Sequence, residues 1–236
     1  DTGDYEKKWT DEILGYHQEI GKPNIKAILI THGHYDHIGG LSRIYESFEA
    51  PVRCHPLLAD KLSKVIGNVE MVIPLQDEEI INVGDVQLKA LFTPGHESDH
   101  ICFYLKNDLV MFTGDSVLGS SSTSVKNLSE YMKSLDFVLN FKHEIVCPAH
   151  GPVAMPPKGS DLIAFQKAHR IKRENQVLGS LKKGLTEISD IVDDIYARHL
   201  TDELRPIASR NVKTHLIKLL DEGVVEMINE RFNVKK

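Results

Sequence analysis

The 236-residue sequence has no apolar run of the roughly 18 residues that a membrane-spanning helix needs, so no membrane segment is expected. It has no basic surplus: 28 Lys and Arg stand against 34 Asp and Glu, for a net charge of -6. That balance argues against a molecule-wide nucleic-acid footprint but leaves room for a local patch. Cysteine is scarce and odd in number. Cys54, Cys102 and Cys147 lie far apart, in or beside predicted strands. They read as isolated buried thiols of a reducing compartment rather than as a disulfide framework or a metal site. Internal repeats, biased tracts and a visible signal peptide are all missing. The chain opens on Asp1-Thr2-Gly3 without an initiator Met, in what looks like the end of a strand. The expectation is that residues precede it in the native protein, a targeting segment among them.

What is there is the composition of an ordinary globular protein, 41% hydrophobic and 26% charged. Tyr5, Trp9, Ile13, Tyr16 and Ile20 recur at helical spacing, and Gly21 ends that helix. Ile25 to Ile30 reads as a buried strand, Leu41 to Phe48 as a helix, Val52 to His55 as a short strand and Pro56 to Val65 as a short helix. Strands follow at Ile80 to Val83, Val86 to Phe92, Ile101 to Leu105 and Leu109 to Phe112, the last two joined by a turn at Lys106-Asn107-Asp108. A helix over Val125 to Leu139 and a strand over Glu144 to Cys147 complete an α/β pattern that fits a layered αββα architecture. Pro156-Pro157 punctuates the chain. The expected division is a catalytic domain over 1–157, a connecting helix over 158–183 and a winged-helix-like domain over 184–236. In the last, helical runs at Ile188 to Tyr196 and Val212 to Leu220 precede strands at Val224 to Ile228 and Phe232 to Val234.

The chemistry concentrates in loops that follow apolar runs. Thr31-His32-Gly33-His34-Tyr35-Asp36-His37 puts three imidazoles and a carboxylate behind the first strand. Thr93-Pro94-Gly95-His96, Thr113-Gly114-Asp115 and Pro148-Ala149-His150-Gly151 each place one more ligand-type residue beside a Gly, which permits a sharp turn. The set divides naturally between two ions. His32, His34 and His96 would bind one, Asp36, His37 and His150 the other, and Asp115 would bridge them. Imidazole with carboxylate suits zinc, and also manganese or iron(II). Two adjacent divalent ions point to hydrolysis, with a shared water activated between them and Asp36 as a proton shuttle.

His-x-His-x-Asp-His, with the later His, Asp and His in these settings, resembles the signature of the metallo-beta-lactamase superfamily over residues 1–152. The resemblance implies an αββα sandwich with two metals at one edge. It also implies leading strands before Asp1-Thr2-Gly3, and a role for Asp1 in orienting a metal ligand. Thr31 and His100, four residues after His96, are further candidates to support the ligands. His34 rather than Glu, no Cys at a second-site position and a short Asp115–His150 interval disfavour other branches. Gly95-His96-Glu97-Ser98-Asp99-His100, Gly114-Asp115-Ser116-Val117-Leu118-Gly119, His169-Arg170-Ile171-Lys172-Arg173-Glu174 and the winged tail resemble one branch. It contains a mitochondrial beta-lactamase-like endoribonuclease and fungal polyketide thioesterases. Glu97 departs from it, standing where Thr is expected.

The resemblance implies an endoribonuclease acting on single-stranded RNA in the mitochondrial matrix, with the cytoplasm as the other location. The alternative is a thioesterase acting on an acyl-carrier or, glyoxalase II-like, a glutathione thioester. A binding module with an idle metal site is a third reading. Arg170 and Arg173 are candidates to grip an anionic substrate, or else belong to a solvated helix face with Lys172 and Glu174. Lys182, Lys183, Arg205, Arg210 and Lys213 could meet phosphates, but Asp190, Asp193, Asp194, Asp202 and Glu203 lie close in sequence. A packing role or a homo-oligomer contact suits the tail equally. Ser120 to Ser124 reads as a polar loop or a substrate entrance, and His55, His143, His169, His199 and His215 as non-ligands.

Overall fold

The structure, a computed structural model, describes residues 1–196 and 200–235. His199 lies outside the described residues. Two sheets face each other between helical layers, and a small helical unit with a hairpin follows. The first sheet is parallel, in the order β1 (Ile28–Leu29), β2 (Val52–Cys54), β3 (Val72–Pro74). Helices α1 (Lys7–Glu19), α3 (Leu41–Phe48) and α4 (Ala59–Ile66) cover it. Leu41, Ile44 and Leu62 meet Ile28, Ile30 and Val52 in one buried cluster, because each helix carries its apolar residues on one stripe. The four-residue α2 (Tyr35–Ile38) lies within the His-rich loop.

The second sheet runs β4 (Ile80–Val83), β5 (Val86–Phe92), β6 (Ile101–Leu105), β7 (Val110–Gly114), β8 (Ile145–Pro148). Pairing is antiparallel from β4 to β7 and parallel between β7 and β8. Leu75, Ile81, Ala90, Ile101 and Phe103 cluster with Leu29 of the first sheet. On the far face Leu91, Met111 and Val146 pack on Tyr131 and Leu135 of α5 (Leu128–Leu139) and on Ile163 of α6 (Lys158–Lys182). This is the expected αββα order.

The topology places the site. β5 and β7 both run antiparallel to β6, and β8 runs parallel to β7, so the carboxyl ends of β5, β7 and β8 share one edge. Ile101 donates its N–H to the Thr31 carbonyl (2.8 Å), which ties the end of β1 to that same edge. All four ligand-bearing loops therefore converge.

The tail comprises α7 (Ile188–Tyr196), α8 (Arg205–Asp221) and the antiparallel hairpin β9 (Val225–Ile228), β10 (Arg231–Val234). Its core of Ile191, Val212, Leu216 and Phe232 also takes in Val177 and Leu181 of α6. Two of its expected phosphate cations are paired internally, Lys183 with Asp194 at 2.7 Å and Arg205 with Asp193 at 2.8 Å. No helix among the described residues is long and apolar enough to cross a membrane.

Several boundaries differ from expectation. β3 went unrecognised because its apolar run is short and closes on Pro74, which an edge strand tolerates. The first strand shrinks to Ile28–Leu29. α8 begins at Arg205, with Pro206 in its first turn, where only the apolar stretch from Val212 was visible. Around α1, Tyr5, Trp9, Tyr16 and Ile20 are exposed, and the packed residues are Thr10, Ile13 and Leu14. Cys54 and Cys102 are buried, Cys147 is half-buried, and all three are free thiols. Burial pushes Cys54 up to about 11 and Cys102 up to about 12, which leaves both inert.

Candidate metal centre

His32, His34, His96 and Asp115 offer ligand atoms within 4.8 Å of one another, and so do Asp36, His37 and His150. In the first group His96 Nε2 lies 3.3 Å from both His32 Nε2 and His34 Nδ1. Asp115 faces both groups, one oxygen to each. Oδ2 is 3.7 Å from His96 Nε2, while Oδ1 is 3.5 Å from His37 Nε2 and from His150 Nε2. Asp36 Oδ2 closes the second group at 2.8 Å from His150 Nε2. The first group is mostly buried, whereas the Asp36 and His150 side chains are 43% and 48% exposed.

Hydrogen bonds fix which ring nitrogen faces inward. Asp1 Oδ1 accepts from the Thr31 N–H (2.7 Å) and Oδ2 from the Thr31 hydroxyl (2.8 Å). Asp1 Oδ2 also lies 2.8 Å from His37 Nδ1, so His37 turns Nε2 toward the cluster. His96 Nδ1 donates to the Ser124 carbonyl (2.8 Å). His100, fully buried, accepts the Asp115 N–H at Nε2 (3.1 Å) and contacts the Thr93 hydroxyl through Nδ1 (2.8 Å). His100 thus holds the backbone of Asp115. Gly114 (φ +48°) has no room for a Cβ, which would sit 2.8 Å from His100 Nε2.

The arrangement fits cations. His37 Nε2 and Asp115 Oδ1 are buried without a hydrogen-bond partner, and both point into the cluster. Burial pushes His32, His96 and His100 below the ordinary imidazole range, and it does the same to His37 against the pull of Asp115 and Asp36. Neutral rings with converging lone pairs suit metal ligation.

Other sequence candidates fall elsewhere. Arg170 is buried, donates to the Thr123 carbonyl (2.6 Å) and lies over the Tyr131 ring. Arg173 stacks on Tyr196 at 4.1 Å. Neither side chain joins the cluster. Ser120 to Ser122 line a cavity of about 580 Å³ with Lys158, Phe165 and His169 of α6. The cavity adjoins the cluster through Gly119, which donates to the His150 carbonyl (2.9 Å). Sequence reasoning noted Glu97 only as a departure, yet its Oε1 lies 2.5 Å from His34 Nε2. It also missed Thr123, whose hydroxyl is 3.0 Å from His96 Nδ1.

Comparison with known proteins agrees with this geometry. The family described as "Metallo-beta-lactamase superfamily" matches residues 1–150, and "Beta-lactamase associated winged helix domain" matches 188–232. The chain is 31% identical to a beta-lactamase-like protein 2 homolog of Drosophila melanogaster, over 99% of this chain and 82% of that protein. It is 32% identical to an atrochrysone carboxyl ACP thioesterase of Pseudocercospora fijiensis, over 100% of this chain and 69% of that protein. A metallo-beta-lactamase family protein from Thermus thermophilus shares the fold with TM-score 0.73 at 23% identity, covering 100% of this chain and 89% of that one. With its ligand-type residues gathered at one sheet edge and a winged-helix unit behind them, the chain belongs to the metallo-beta-lactamase superfamily.

Proposed function

We propose that this chain is a metal-dependent hydrolase holding two adjacent ions, zinc foremost, and that its substrate is single-stranded RNA. Convergence of two ligand groups on Asp115 carries the hydrolase reading. His32, His34 and His96 would hold the inner ion and Asp36, His37 and His150 the outer one, with Asp115 shared. Bound there, the ions would supply Lewis acidity, neutralising developing charge on oxygen and lowering the pKa of a water between them. The protein's own contribution is positioning. Asp1, His100 and Ser124 fix the ligands, and the buried inner group keeps bulk water away. The Asp36 carboxylate, open at the mouth, would accept a proton from the attacking water and return it to the leaving group.

One feature supports RNA. Tyr35, 77% exposed, projects from the His-rich loop between His34 and Asp36, with the Lys61 ammonium 6.0 Å from its ring. Phe165, also exposed, stands in the adjoining cavity near Lys158. Exposed rings beside cations suit unstacked bases and their phosphates. The branch resemblance supports a mitochondrial matrix location, which organelle fractionation tests.

A second reading, hydrolysis of an acyl-carrier thioester, is favoured by the thioesterase relative that aligns along the whole chain and by the apolar Leu162 and Phe165 of the cavity. Labelled single-stranded RNA and an acyl thioester, each with and without a chelator, separate the two. The Asp36→Asn/His37→Ala double variant is the control. Chelator-sensitive RNA cleavage well above that control is expected. RNA turnover no greater than the control, with thioester turnover intact, transfers the assignment to the thioesterase.

A further inference from the structure

Glu97, which stands where the branch resemblance leads one to expect Thr, is not idle. Its carboxylate is largely buried, 13% exposed, and each oxygen has its own partner. Oε1 lies 2.5 Å from His34 Nε2, and Oε2 accepts from Lys126 Nζ at 2.7 Å. The backbone around it is pinned: Gly95 donates to the Glu97 carbonyl (3.2 Å), and the Gly95 carbonyl accepts from the Lys126 N–H (2.8 Å). The other His34 nitrogen, Nδ1, faces His96 Nε2 at 3.3 Å. A ring that gives its Nε2 proton to a carboxylate has its Nδ1 lone pair free, and that lone pair points into the three-histidine group.

We propose that Glu97 is a positioning residue for His34. It selects the Nε2–H tautomer, locks the ring plane, and adds negative charge behind the inner site, with Lys126 as the clamp that holds the carboxylate. A carboxylate hydrogen-bonded behind a ligating imidazole raises its basicity, and losing such a partner typically costs about 10- to 100-fold in metal affinity. The analogous partner of His37 is Asp1. Each group would then own one carboxylate-backed histidine, which makes the two sites separately tunable. The inference rests on the two-ion reading above.

The test is titration of the metal-free protein with zinc against a chromophoric chelator, resolving the two dissociation constants, for wild type, Glu97→Thr, Glu97→Gln and Lys126→Met. Glu97→Thr is expected to weaken one of the two sites by about 10- to 100-fold and leave the other within about twofold. Glu97→Gln keeps an oxygen that accepts from Nε2–H and is expected to recover part of the loss. Lys126→Met is expected to fall between Gln and wild type. Nitrogen-15 spectra of the metal-free protein give a readout that mere packing would not move. His34 should be Nε2-protonated in wild type and lose that preference in Glu97→Thr. Unchanged constants and an unchanged tautomer in Glu97→Thr overturn the inference while leaving the two-ion reading intact. A wild-type chain that binds no zinc in this titration overturns both.

Discussion

Asp1 Oδ2 lies 2.8 Å from His37 Nδ1, so this carboxylate sets the direction of a ring whose other nitrogen faces Asp115. Replacing Asp1 with Ala removes the acceptor and frees the ring. We expect metal content measured by elemental analysis to fall from about two ions per chain toward one, and turnover to drop by about 10- to 100-fold. Full occupancy and turnover in Asp1→Ala would show that the Asp1 carboxylate does not orient His37.

Tyr35→Ala and Phe165→Ala each remove an exposed ring and leave every ligand-type residue in place. Base stacking on one ring is worth about 1 to 3 kcal/mol. Binding of a short single-stranded RNA should weaken by about 5- to 150-fold in each variant, with metal content unchanged. Fluorescence anisotropy checks this. Unchanged RNA affinity in both variants would remove the stacking surface from the substrate model.

Glu174 on α6 and Lys218 on α8 pair at 2.9 Å and join the tail to the long helix α6. Burial alone would raise Glu174, but His215 and the Lys218 ammonium outweigh it and hold the carboxyl below its usual range. Its stabilisation is therefore complete above the unfolded carboxyl's value of about 4.3 and is lost as pH falls through the folded value. Lys218 is shifted upward: burial lowers it, and Glu222 and Glu174 raise it more. Its share is complete below about 10.4 and is lost as pH climbs through its folded value. Glu174→Gln should reduce neutral-pH stability by about 1 to 2 kcal/mol and flatten the acid limb. Urea unfolding across pH reads both.

Gly95 combines φ +134° with no space for a side chain, since a Cβ would lie 2.4 Å from Tyr131 Cα. Gly95→Ala must displace backbone rather than a flexible side-chain tip. A loss of about 2 kcal/mol or more is expected, or roughly 4 to 8 °C in Tm. Because Gly95 adjoins His96, zinc affinity should fall with it.

The ligand-type residues were legible because each of their loops follows an apolar run and contains a turn-forming Gly. Those signals are local in sequence, and the strand directions then bring the loops together. The layered fold was readable for the same reason, since helices and strands announce themselves within a dozen residues. Contacts between distant residues were not readable. Glu97 meets His34 across 63 positions, and Arg170 meets Thr123 across 47. Nothing in the Arg170 neighbourhood tells a solvated guanidinium from one that satisfies a buried carbonyl. The α1 stripe misleads in the opposite sense. Its spacing announces a helix, but which face is covered depends on α3 and the first sheet, and these keep Ile13 and take Thr10 and Leu14 in place of the other four.

α6 is one unbroken helix of 25 residues that takes part in both halves of the molecule. Phe165 and His169 stand at the cavity wall, Glu174 grips α8, and Val177 and Leu181 lie in the tail's core. From Phe165 to Val177 the helix is about 18 Å long at 1.5 Å per residue. Its first turns are anchored as firmly as its last, since Leu162 and Ile163 lie in the core against α5 and the second sheet. One rod seated in two cores sets the spacing between the cavity wall and the tail.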